Sequence, residues 1–171
     1  NKLAYVTEDR KGNGLILSKS IKMNTSLANM KGISNGQVID ADKEYAIAEE
    51  YRQKLKTKCP SVEQNVGNLS GGNQQKVLLA KWMFAEPDIL ILDEPTRGID
   101  VGAKYEIYCI INDLVAAGKS VIMISSELPE VLGMSDRIYI MNEGKFVGEV
   151  SKEEATSELI MSKIVKSGKG A

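Results

Sequence analysis

Apolar positions run along the chain in two rhythms. Short aliphatic runs at residues 3–6, 89–92 and 121–124 are strand-sized. The run Ile89, Leu90, Ile91, Leu92 has no polar interruption, as expected of a strand buried on both faces of a parallel sheet. Between these runs the period lengthens. Residues 20–30 are weakly helical, and the glycines at 32 and 36 break the pattern. Residues 42–56 predict a charged helix with Ala46, Ile47, Tyr51 and Leu55 as one inward stripe, ended by Cys59-Pro60-Ser61. Ser70 opens a helix that runs to Ala85 and stops before Pro87. Residues 102–117 predict another, closed by Gly118.

After the strand at 120–124 the pattern predicts a short helix from Pro129 and a strand over 137–141. Asn142-Glu143-Gly144 then turns into a strand over 146–150, giving a hairpin. Ser151 to Glu154 reads as a capping box opening a last helix to about Val165, with residues 166–171 a disordered tail. Strands alternating with helices, two of the strands wholly apolar, predict an α/β fold with a largely parallel sheet, interrupted by a helical insertion over residues 20–85.

Composition narrows the function classes. At 171 residues and 43% hydrophobic content the chain supports one domain. Its 22 basic and 23 acidic residues leave a net charge of -1, without the basic footprint of a nucleic-acid binder. No apolar stretch reaches the roughly 20 residues of a membrane span. Histidine is absent, which removes the commonest general acid-base and transition-metal ligand. Cys59 and Cys109 are far apart and in no metal-binding spacing, as for reduced thiols of a cytoplasmic protein. The opening residues resemble a strand entered from its middle rather than a signal peptide, so the chain reads as a piece of something longer.

Two motifs carry chemistry. An aliphatic strand that delivers Asp93 and Glu94 at its C-terminal end suits metal-assisted phosphoryl transfer. One carboxylate can hold Mg²⁺ on phosphates while its neighbour polarises a water, and ligands of open α/β sheets sit at such strand ends. The plainer reading is a buried strand ending in an acidic turn. The second motif, Leu69-Ser70-Gly71-Gly72-Asn73-Gln74-Gln75, starts a helix with bare backbone N–H groups and the positive end of the helix dipole, a place for a phosphate. The plainer reading there is a serine N-cap behind a flexible loop.

The two motifs stand in sequence, a short helix apart, and Thr96-Arg97-Gly98-Ile99-Asp100 follows the second carboxylate. In that order and spacing the chain resembles the ATP-binding cassette family over nearly its whole length. The resemblance makes Leu69 to Gln75 the signature motif, Leu90 to Glu94 the Walker B strand and Gly98 to Asp100 the D-loop. It implies a P-loop NTPase-like core carrying a helical subdomain and truncated before the Walker A loop. The implied segments are a glutamine-loop strand and turn (1–19), a helical subdomain with the signature (20–85), the α/β core (86–150) and a C-terminal helix and tail (151–171). Ser70 to Lys76, Asp93 to Lys104 and Ser125 to Glu130 are similar to the second cassette of tandem ATPases that power bacterial importers of ribose, galactose and xylose.

What the resemblance implies can be carried over residue by residue. Asp93 is the metal ligand and Glu94 the catalytic carboxylate. Ser70, Gly71, Gly72, Asn73, Gln74 and Asp100 contact nucleotide. Glu8 stands where most cassettes have a phosphate-sensing glutamine, and Ser126 where most have a histidine. An acid at position 8 repels phosphate unless a cation neutralises it. Arg10 and Lys11 are the candidates, unless residues 8–11 are simply a solvated turn. Serine at 126 can hydrogen-bond but carries no charge. The implied cofactors are ATP and Mg²⁺. The implied partners are a second cassette, an integral-membrane permease and, indirectly, a periplasmic or lipoprotein sugar-binding protein, with no nucleic acid. The expected location is the cytoplasmic face of the membrane. No Gly-x-x-x-x-Gly-Lys-Ser/Thr loop occurs in the 171 residues, so these residues alone are expected not to hydrolyse ATP. A soluble cassette acting on DNA or ribosomes, or a non-catalytic partner cassette, are the competing expectations.

Overall fold

The computed structural model describes residues 2–168, which form two compact units divided after Ile124. In the first unit, strand β1 (Leu3–Val6) leads into a single wide turn, Arg10–Gly14, in the segment where a turn was expected. Asp9 shapes this turn: its carboxylate accepts the Gly12 N–H at 2.9 Å and the Asn13 side-chain amide at 3.2 Å. Helix α1 (Ile21–Ser26) is capped by Ser20, continues as a 3-10 stretch over Leu27–Ile33, and ends in a small hairpin of β2 (Ser34–Asn35) and β3 (Val38–Ile39). That hairpin was not expected; Gly36, at φ +65°, makes its turn possible.

Helix α2 (Ala41–Lys54) forms where the charged pattern placed it, but its buried side is turned from the predicted stripe. Of the predicted stripe Leu55 is buried, but Ala46 is exposed and Ile47 and Tyr51 are half-buried, whereas Glu44 and Ala48 are buried. The reason is a polar group that hydropathy misassigns. Glu44 lies inside because Ser26 donates to its Oε1 at 2.6 Å and Lys22 lies 3.9 Å from its Oε2. Helix α3 (Gly71–Met83) follows, then β4 (Ile89–Asp93), α4 (Val101–Ala116) and β5 (Ser120–Ile124), with Gly118 at φ +83° closing α4 as predicted.

Strands β1, β4 and β5 make a parallel sheet with β4 in the centre, Val6 opposite Leu92 and Asp93 opposite Ile124. Helix α3 packs on β1 and α4 on β5. Beneath them Ala4, Val6, Leu90 and Leu92 are buried. The expectation of burial on both faces is corrected: Leu3, Tyr5, Ile122 and Ile124 on the other face are exposed, and Ile89 and Ile91 are half-buried. The parallel register brings β1 and β4 to the same end of the sheet and so sets Glu8, Asp93 and Glu94 together there.

The second unit contains α5 (Leu128–Met134), with Pro129 in its first turn, and the predicted hairpin of β6 (Arg137–Asn142) and β7 (Lys145–Ser151). Glu143 at φ +48° and Gly144 at φ +74° give the mirror-image turn that matches strand twist. Helix α6 (Ser157–Gly168) packs Ile160 against Ile138, Ile140 and Val150. The capping-box expectation is corrected. Ser151 is the last residue of β7, paired with Arg137, and the helix is instead capped by Thr156, whose hydroxyl accepts the Leu159 N–H at 3.1 Å. Residues 166–168 belong to this helix; the rest of the expected tail lies outside the described residues.

Candidate functional site

At the C-terminal end of β4 the backbone turns abruptly. Glu94 adopts φ +46°, a conformation that side chains other than glycine rarely take and that clusters at functional turns. Two hydrogen bonds hold it: Glu94 N–H donates to Ile124 C=O at 2.9 Å, and Arg97 N–H donates to Glu94 C=O at 3.1 Å. Thr96, within that turn, is buried. Beside it, Tyr5 donates its hydroxyl to Asp93 Oδ2 at 2.5 Å, and this donated bond raises the phenol above its usual pKa.

Helix α3 begins with Ser70 in the N-cap position, at φ −62° and ψ 159°, yet the serine does not cap. Ser20, Asp40 and Asp100 each accept a first-turn N–H of their own helix, on Met23, Lys43 and Ala103. Ser70 Oγ instead accepts the Asn73 side-chain amide at 3.0 Å, and Asn73 Oδ1 accepts the Lys58 N–H at 2.9 Å. The serine N-cap reading is therefore set aside: the hydroxyl keeps its proton to donate, and it lies on the exposed surface. A cleft of about 300 Å³ opens there between the starts of α3 and α4, lined by Ser70, Asn73, Asp100 and Glu106.

The two glycines after Ser70 differ. Gly71 is only half-buried, while Gly72 is buried against the first turn of α4, where a Cβ would lie 2.6 Å from the Cβ of Ala103. Gly72 therefore sets how closely the two helix starts approach. Gln74 is buried as well, its amide donating to the carbonyls of Val66 and Leu69 at 3.3 and 3.2 Å. Its side chain thus braces the loop before the helix. Asp100 spends its carboxylate on capping α4.

Sequence pattern missed Lys76. Its ammonium is buried, donating to Lys56 C=O at 2.9 Å and pairing with Glu106 Oε2 at 2.8 Å, which ties α3 to α4 and to the loop after α2. The hydrogen bond from Lys76 holds the Glu106 carboxyl below the usual carboxylate range. Lys76→Met should lower stability by about 1–3 kcal/mol, because the Lys56 carbonyl loses a charged donor; Glu106 is open to water and adds little. A depressed carboxyl stabilises the fold above its ordinary pKa and loses that contribution as pH falls through the folded value. The gap between variant and wild-type urea midpoints should therefore narrow by a small part of its size below about pH 4. An undiminished gap in acid would remove Glu106 from the account.

Glu8 lies just past the end of β1, and its charge is met from across the sheet. Arg97 pairs with it through Nη1 and Oε1. Of the expected neutralisers Arg10 and Lys11, Arg10 instead donates to Gln75 Oε1 on α3 at 3.3 Å. Burial holds the Arg10 guanidinium below its usual pKa, so residues 8–11 are not merely a solvated turn. Ser126 lies in the second unit, two residues past the end of β5, between Ser125, which bonds the buried Glu130, and Glu127, which precedes α5.

Residues 1–97, more than half of the chain, match the family described as ABC transporter. The chain belongs to the ABC transporter family. It is 63% identical over 97% of its length to the L-arabinose transport ATP-binding protein of Geobacillus stearothermophilus. It is 56% identical over 94% to the xylose import ATP-binding protein of Geobacillus kaustophilus, and 55% over 94% to the ribose import ATP-binding protein of Clostridium tetani. The chain spans 32% of the length of each of these relatives. A solved ATP-binding cassette of an ABC transporter superposes on 96% of the chain, and 67% of its own, with a TM-score of 0.78 at 20% identity. A cassette solved as a dimer bound to ADP and Pi covers 89% of the chain and 63% of its own, with a TM-score of 0.74 at 21% identity. Both share the ABC ATPase fold expected from the sequence.

Proposed function

We propose that this ABC transporter chain is part of the ATPase of a sugar importer and that the imported solute is of the arabinose, xylose and ribose class. The observation that carries this reading is the likeness, along at least 94% of the chain, to three relatives named for transport of such sugars. A soluble role on DNA or ribosomes has no comparable support, and a net charge of -1 speaks against it.

In this proposal Asp93 and Glu94 serve the nucleotide site of their own cassette, with Glu8 beside them; Asp100 and Ser126 are assigned to nucleotide by the family pattern. Ser70, Gly71, Gly72 and Asn73 serve a nucleotide held by a second cassette; Gln74 braces the turn from within. Among the described residues no group of three or more His, Cys, Asp and Glu could hold a metal by itself. That donor set fits Mg²⁺, which binds through one or two carboxylates and the substrate's phosphates, with Asp93 as the protein's share. Bound there, the ion would neutralise charge developing on the phosphates. Glu94, fixed by its two backbone hydrogen bonds, would orient water. The uncapped start of α3 would donate N–H groups and the Ser70 hydroxyl to a terminal phosphate. With an acid at position 8 and serine at 126, this chain's own site is the slower of the pair.

The permease would dock on the helical stretch 20–85. Met23 on α1 and Leu27 and Met30 on the 3-10 stretch that follows are exposed there, 46, 40 and 39% respectively. No helix is long and apolar enough to cross a membrane among the described residues, so anchorage to the cytoplasmic face would come through that permease, with a sugar-binding protein outside delivering solute. The test is to co-express the complete protein with its genomic neighbour permease and measure uptake of labelled arabinose, xylose and ribose. ATP-dependent uptake of at least one, lost with Leu27→Asp together with permease co-purification, is expected. A complete protein that binds no permease and supports no sugar uptake would end the proposal.

A further inference from the structure

Arg97 belongs to the turn after β4, and that turn makes two kinds of contact. On one side Arg97 pairs with Glu8, while Arg97 N–H closes the turn onto Glu94 C=O. On the other side the same turn meets the start of α3. Gly98 C=O lies 3.4 Å from where a Cβ on Gly71 would sit, and the Ile99 side chain lies 3.6 Å from the corresponding point on Gly72. Arg10 also borders Gly71, its Nη2 3.3 Å from that same Cβ position. Gly71 therefore has Arg10 and Gly98 as neighbours, Arg10 lying two residues after Glu8 and Gly98 adjoining Arg97, the partner of Glu8.

The geometry points to Glu8 and Arg97 as a positioning pair for the signature turn Ser70-Gly71-Gly72, acting through Gly98. This rests on the functional reading above, in which that turn serves the nucleotide of the second cassette. Glu8 then stands at one nucleotide site and, through Arg97, fixes the donors offered to the other. Both side chains are exposed, so the pair contributes little to stability; its role is placement. Site geometry is sensitive to such placement, since shifts near 1 Å can cost about a hundredfold in rate.

The charge order of the pair supplies the test, made in the complete protein with its permease. Glu8→Arg and Arg97→Glu should each lower ATP turnover about tenfold or more and weaken equilibrium binding of trinitrophenyl-ATP. The double exchange Glu8→Arg/Arg97→Glu should return both to within about threefold of wild type. The neutral variants Glu8→Gln and Arg97→Gln should lose turnover without moving the urea midpoint, which separates placement from folding. Failure of the exchange to restore turnover and binding would overturn the pairing and make Arg97 a direct phosphate ligand. Single variants indistinguishable from wild type would overturn it too. If the wild-type protein hydrolyses ATP without answering to permease or sugar, the importer reading fails while the exchange is still read on basal turnover and on nucleotide affinity.

Discussion

Gly72→Ala should destabilise the complete protein by about 1–3 kcal/mol, and Ala103→Gly should restore most of that loss. The added methyl would lie 2.6 Å from the Cβ of Ala103 and 4.0 Å from its Cα. Both belong to the first turn of α4, which cannot swing aside as the end of a long side chain can. The helices must separate, and Lys76 further along α3 would then be drawn away from Glu106 on α4, a pair now at 2.8 Å. Gly71 offers the contrast. A methyl there meets the tip of Arg10 at 3.3 Å and a carbonyl at 3.4 Å, so Gly71→Ala should cost less in stability. Removing the opposing methyl in Gly72→Ala/Ala103→Gly reopens the space, at a residual cost of up to about 1 kcal/mol for a second glycine in a helix. Urea midpoints of the four proteins decide the matter. A double variant no better than Gly72→Ala would mean that the two helix starts do not depend on this contact.

That contact marks where sequence reading stops. Strands β1, β4, β5, β6 and β7, the acid pair at the end of β4 and the glycine-rich start of α3 were legible, because each is written in consecutive residues with its own local signal. Gly72 was legible as a glycine but not as the partner of Ala103, 31 positions away. Glu8 was recognised as a charge in need of a cation. Sequence proximity suggested Arg10 or Lys11, whereas the parallel register of β1 and β4 brings in Arg97. Two local patterns also misled. The serine and glutamate at 151 and 154 satisfy a capping box on paper, but β-pairing with Arg137 takes Ser151 into β7 first. Hydropathy put Ala46 inside α2 and Glu44 outside, because it does not know that a buried carboxylate can be met by Ser26.

Ser70→Arg in the complete transporter should remove nearly all ATP-driven transport, whereas Glu94→Gln should cost no more than about tenfold. The asymmetry follows from which nucleotide each residue serves. Ser70 leaves the amides of the first turn of α3 uncapped and keeps its own hydroxyl free to donate. Losing one such preorganised donor costs about 10²–10³ in rate. Arginine does more harm than a deletion. Its long side chain holds a phosphate away from amides that must reach it at about 2.7–3.1 Å, and its charge lies at the positive end of the helix dipole. On the proposed reading Glu94 serves this chain's own nucleotide, where Glu8 replaces the usual amide side chain and Ser126 the usual ionisable ring. Turnover of that nucleotide would then already be slow, so neutralising the carboxylate would subtract from a small rate. Steady-state ATPase and sugar uptake, measured side by side in membrane vesicles, separate the cases. Equal loss in both variants would place the two residues on nucleotides of equal importance and end the claim of unequal sites. Loss in Glu94→Gln alone would reverse it and make this chain's own acid pair the productive centre.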